Sequence, residues 1–212
     1  YLSNPVDATN VSSVLGGSSN SPVVVTRDER SSFLLILISF VISLALAYTI
    51  EHLGWLPSTR GTERVSWKNS VKPLGIISGI AAVSALIIFT ISGMKLDLSS
   101  GQGIMLILLG LILTLVFAYA NNFLLKRLKH TGFLISAGLL LLYVISASQL
   151  FDVQYATTNQ GLALISPLSY TEDMLQLFLN QQKGWGIVFG VLLVLAPILG
   201  VLNASQYREL EE

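Results

Sequence analysis

Of 212 residues, 52% are hydrophobic and only 11% are charged, and the mean hydropathy is +0.69; soluble domains carry about a quarter charged residues, so the chain reads as an integral membrane protein. A formal net charge of zero leaves no basic excess to steer it towards nucleic acid. Without a single cysteine, disulfides and thiolate metal sites are excluded.

The chain begins at Tyr1, with no methionine and no basic segment before a short apolar core. The simplest reading is a fragment whose upstream portion has been removed. Residues 1–30 contain "NVSSVLGGSSNSPVVV" and end in "TRDER", a Ser/Asn/Gly-rich composition without helical periodicity that reads as an extended extracellular tether. Asn10-Val11-Ser12 matches a glycosylation sequon, which has meaning only in a eukaryotic secretory pathway.

A helix crosses the hydrocarbon core with about 20 apolar residues. Charge-free stretches of that length predict five spans, over residues 31–50, 74–94, 102–125, 131–151 and 184–206, and a cytoplasmic tail over 208–212. The fold class expected is all-α: a polytopic membrane helix bundle of five transmembrane helices plus one amphipathic helix on the outer face. Lys and Arg alternate between the connecting segments. Arg60, Arg64, Lys68 and Lys72 follow the first span, Lys126, Arg127 and Lys129 follow the third, and Arg208 follows the fifth, against Arg27, Arg30, Lys95 and Lys183 on the opposite side. Basic loops face the cytoplasm, so the N-terminus of this chain is expected outside and the C-terminus inside, in a multi-pass protein of the bacterial plasma membrane. Trp55, Trp67 and Trp185 fall at span boundaries, where indole rings anchor at the interface.

No Asp, Glu, Lys, Arg or His lies in the central part of a span, and Glu51 and His52 sit at the end of the first. Ion-coupled pumps and voltage sensors need intramembrane charge, and intramembrane proteolysis needs paired aspartates, a His cluster or a Ser/His pair. The two histidines, His52 and His130, are both placed in cytoplasmic loops, so no catalytic, metal or cofactor-binding residue is assigned. Gly75 with Gly79, and Gly186 with Gly190, have the spacing that lets membrane helices approach closely; they are candidate packing positions within the bundle or on a homo-oligomer face. Pro197 removes a backbone bond in the middle of the fifth span.

Between spans four and five lies "ISPLSYTEDMLQLFLNQQKGW", too short and too acidic to cross. Ser169-x-x-Glu172 has capping-box spacing with Pro167 just upstream, predicting a helix over 169–181. Met174, Leu175, Leu177 and Phe178 gather on one side, and Asp173, Gln176 and Asn180 on the other. This is an amphipathic helix, lying at the outer interface or tucked between spans four and five as a partly re-entrant element. Pro167, Tyr170, Met174 and Phe178 are its candidate functional positions. Glu172 and Asp173 are adjacent and point apart, which suits capping and solvation better than acid/base chemistry.

Several stretches occur in a fixed order: "YLSNPV", "SGMKLDLSS", "NNFLLKRLKHTGFLISAGLLLLYVISAS" and "ISPLSYTEDMLQLFLN". Together they resemble the C-terminal membrane region of the YhgE/Pip and EsaA (YueB-like) proteins. That resemblance implies a membrane part related to ABC-2-type permeases, preceded by a further span and a large extracellular region. EsaA-like members are accessory membrane components of the type VII (ESX-like) secretion system, and related members serve as phage receptors. The chain lacks the aromatic-rich segment of Pip-type members after its Asn4-Pro5-Val6 motif, which favours the EsaA branch.

The expected function is a non-enzymatic secretion component that anchors an extracellular region. Its expected partners are membrane lipid, other membrane subunits of the complex and a second copy of itself. The alternative is an ABC-2-type transporter permease driven by a separate ATPase, since no G-x-x-x-x-G-K-[ST] motif occurs here. Arg60, Arg64, Lys68, Lys126, Arg127 and Lys129 are the candidate cytoplasmic contacts, either for a protein or for anionic lipid at about 1 kcal/mol per charge.

Overall fold

The structure, a computed structural model, describes residues 27–53, 67–147 and 166–209. These residues form six helices: α1 (Arg27–Leu53), α2 (Trp67–Lys95), α3 (Ser100–Leu128), α4 (His130–Ala147), α5 (Pro167–Leu179) and α6 (Trp185–Glu209). No strand occurs among the described residues. Four of the helices, α1, α2, α3 and α6, are long and apolar enough to cross a membrane.

The fourth expected span is less complete. Helix α4 is apolar but has 18 residues, about 27 Å against a hydrocarbon core of about 30 Å; the rest of the expected stretch, residues 148–151, lies outside the described residues. Of the expected tether over 1–30, residues 1–26 lie outside the described residues too. Arg27 to Arg30 are already helical, since Arg and Glu extend a helix readily.

Helix α3 is the centre of the bundle and packs against α1, α2, α4 and α6. Its approach to α1 is lined by a stripe at helical spacing, with Phe33, Ile36, Phe40 and Leu44 buried and the Phe40 ring edge-on to Phe117 at 5.3 Å. Helix α2 buries Ile77, Ala81, Ala85 and Phe89, a four-residue repeat that keeps one face on α3. The fit at its far end depends on Gly110 of α3, where a Cβ would fall on the Phe89 ring.

The connections are short and chemically specified. Between α2 and α3, Asp97 takes φ 52°, a conformation that Asp tolerates, and Leu98 N–H closes back on Gly93 O at 3.4 Å. Ser99 then caps α3 in a capping box with Gln102. Helices α3 and α4 are joined through Lys129 alone, at φ 51°, and Gly132 lies so close to the Leu124 carbonyl that a Cβ would collide with it.

Candidate functional site

The segment that carries the acids is the first place to look. Helix α5 starts two residues earlier than expected, because Pro167 occupies its first turn, where a missing N–H costs nothing. Ser166 is the N-cap, and Ser169 lies inside the helix with its N–H bonded to Ser166 O at 3.2 Å. The Ser169/Glu172 capping box is therefore not formed.

Helix α5 is 13 residues long, about 20 Å. Its N-terminal end borders a cavity of about 420 Å³ together with Phe40 of α1, Leu139 of α4 and Leu195 of α6, all near the middles of their own helices. Its C-terminal end reaches the start of α6, where Phe178 and Trp185 meet edge-on at 5.5 Å. Gln181 at φ 54° and Gly184 at φ 117° turn the chain between them; the second value suits glycine, which has no Cβ to strain. Helix α5 thus folds back as a hairpin with α6 and packs on α1, α4 and α6.

Of the four candidate positions on α5, Met174 and Phe178 are buried, while Pro167 and Tyr170 are exposed. Glu172 departs from the solvated role expected of it. It is 8% exposed, accepts a hydrogen bond from Gln176 Nε2 at 3.2 Å and faces the buried hydroxyl of Tyr143, whose ring packs on Phe33 at 5.4 Å. The long apolar helices lack central charge, and α5 carries a carboxyl in among them. Asp173 stays on the exposed side of α5, yet partial burial pushes its carboxyl above the usual range.

A second polar cluster joins α2, α3 and α6. Asn122 Nδ2 donates to Asn203 Oδ1 at 2.7 Å, and Asn203 Nδ2 donates to Tyr119 O at 2.9 Å and to Leu199 O at 2.8 Å. Tyr119 shares a hydrogen bond between its hydroxyl and Ser78 Oγ, and its ring lies over Gly200. Both asparagines are buried, so each carboxamide needs these partners. Sequence reasoning missed this tie. The signal was present as carboxamides within apolar stretches, "AYANNFLL" and "GVLNAS".

Among the described residues, the glycine pairs make no close approach to another helix. A Cβ at Gly75, Gly79, Gly186 or Gly190 meets nothing within 4 Å; close approach is instead made at Gly110 and Gly132. Of the basic candidates, Arg60 and Arg64 lie outside the described residues and Lys68 lies in the first turn of α2. Lys126, Arg127 and Lys129 are grouped at the α3–α4 joint, where Lys126 is within electrostatic reach of Glu51. His52 and His130, expected in loops, are helical, and their rings are 6.0 Å apart. Among the described residues, no three His, Asp or Glu side chains converge to hold a metal.

Comparison with known proteins bears on the whole chain. Residues 28–204 match the family model of the EsaA helical domain. The chain is 27% identical over 210 residues to the type VII secretion system accessory factor EsaA of Staphylococcus aureus strain MRSA252. It is 28% identical over 210 residues to the protein of that name in strains USA300 and Newman. In each case 96% of this chain is covered, and 20% of the relative, so the chain spans about a fifth of the length of these curated relatives. No solved structure matches it.

Proposed function

Because this chain belongs to the EsaA helical domain family, we propose that it is a non-enzymatic membrane component of a bacterial type VII protein secretion system, anchoring an extracellular region and contacting partner subunits within the bilayer. The observation that carries this reading is the family match over residues 28–204 on a helical bundle with four helices able to cross a membrane. A further feature supports contact with other subunits. Helix α6 leaves Ile187, Val191, Val194 and Val201 between 59% and 77% exposed, an aliphatic face open to lipid or to another helix.

In this reading α4 continues as a fifth crossing. The α3–α4 joint, with Lys126, Arg127 and Lys129, faces the cytoplasm, and the α5–α6 turn with Lys183 faces outward. Single cysteines at Leu128 and Gln182 test this arrangement. An impermeant thiol reagent added to intact cells is expected to label Gln182→Cys and spare Leu128→Cys, and the reverse pattern would overturn it. Partner contact is tested by a photo-crosslinker at Val194: adducts with other secretion subunits are expected, and lipid adducts alone along the whole exposed face of α6 would remove that part of the proposal.

A further inference from the structure

At the basic end of the bundle a crevice of about 840 Å³ opens between α1, α4 and the end of α3. Its lining changes character along its length. Val41, Leu44, Ala45 and Phe133 form an apolar floor, and Glu51, His52, Lys129 and His130 form a charged and polar rim. The two zones are joined by a run of rings: Phe133 lies 5.5 Å from Tyr48, Tyr48 stacks on His52 at 3.9 Å, and His52 lies 6.0 Å from His130.

The dimensions restrict what fits. From Val41 to His52 the α1 wall rises by about 16 Å, close to half of a hydrocarbon core about 30 Å thick, which is the depth of one leaflet. The rim supplies one ammonium and two imidazoles that donate hydrogen bonds, together with the Glu51 carboxylate, a pure acceptor within reach of Lys126. Such a rim suits a headgroup that combines an anionic phosphate with hydroxyl donors, and a crevice one leaflet deep with an apolar floor at its inner end suits an acyl chain. A free phosphate or a nucleotide has no use for that floor.

We infer that this crevice between α1 and α4 binds a single phosphatidylglycerol-type phospholipid, with its phosphate at Lys129, His130 and His52, its glycerol hydroxyls on Glu51 and one acyl chain along Ala45 and Phe133. The inference rests on the embedding of this chain in a bilayer and is independent of its part in secretion.

The test is native mass spectrometry of the purified chain in detergent with equal phosphatidylglycerol and phosphatidylethanolamine, each preparation first checked for its thermal midpoint. Wild type is expected to retain one phosphatidylglycerol in preference to phosphatidylethanolamine. Lys129→Asn, which keeps a residue tolerant of positive φ at the joint, should reduce that preference about fivefold, the value of one charge at a membrane surface; combined with His130→Gln it should abolish it. Ala45→Trp, at an exposed position in the floor, should abolish retention of the lipid while Lys183→Gln at the α5–α6 turn changes nothing. Equal retention by wild type, Ala45→Trp and the rim variants would overturn the inference, as would displacement of the lipid by millimolar inorganic phosphate with the floor variant unaffected. Recovery of the chain from cells in the carbonate-soluble fraction would overturn bilayer embedding as well, whereas a membrane-bound chain without the lipid preference overturns the crevice alone.

Discussion

Helices α3 and α6 have nearly the same mean hydropathy, 2.6 and 2.5, over their apolar stretches, yet 44% of that stretch is buried in α3 and 6% in α6. Hydropathy measures preference for an apolar medium over water, and lipid tails are as apolar as a neighbouring helix. What separates the two is how they are surrounded: α3 packs against α1, α2, α4 and α6, whereas α6 packs against α2, α3 and α5. Helix α3 buries Gly110, Thr114, Asn121 and Asn122, whereas α6 buries Leu192 and Asn203, meets Tyr119 at Gly200, and leaves its other face of branched aliphatics exposed.

The contrast can be broken most forcefully at Gly110. Gly110→Leu drives a side chain into the Phe89 ring, and a loss of about 3 kcal/mol or more is expected, read as a collapse of the thermal midpoint in detergent; a wild-type midpoint would mean that α2 does not approach α3 here. Asn203→Leu comes next. It removes three hydrogen bonds and leaves Asn122 without this acceptor, for a loss of about 1–2 kcal/mol, and protease sensitivity of α6 should rise before that of α3. If both helices became sensitive together, the tie would not be specific to α6.

Smaller effects sharpen the comparison. At Gly186 and Gly190 a Cβ meets nothing within 4 Å among the described residues, so Gly186→Leu with Gly190→Leu should move the midpoint by no more than about 0.5 kcal/mol equivalent. A fall in oligomer mass on light scattering with the midpoint unchanged would assign these glycines to contact between copies; a large loss of stability would show that they pack within one chain. The smallest effect is expected at Asp173. Its folded carboxyl is raised by partial burial, so the folded chain takes up the proton more readily than the unfolded one, and stability declines as pH rises from the unfolded value through the raised one. Asp173→Asn should therefore stabilise slightly at pH 7 and have no effect well below pH 4. An equal gain at both pH values would attribute it to packing instead of charge.

The positions of the helices were legible because an apolar run of fixed length has one energetic solution in lipid. Their contacts were not. Spacing alone marked Gly75, Gly79, Gly186 and Gly190, but spacing does not say which glycine has a ring or a carbonyl waiting opposite it, as Gly110 and Gly132 do. Asn122 and Asn203 stand 81 residues apart, and no local pattern pairs two carboxamides over that distance. Glu172 was misread for a related reason. Its spacing from Ser169 imitated a cap, while Pro167 had already started the helix and turned that carboxyl inwards, towards Tyr143.

The corner at Lys129 leaves α3 and α4 without slack. One residue separates the two helices, and Gly132 is seated against the carbonyl of Leu124, so a piston stroke of α3 along its axis must drag α4 with it. Any mechanical signal that crosses the bundle through α3 would arrive on both helices at once.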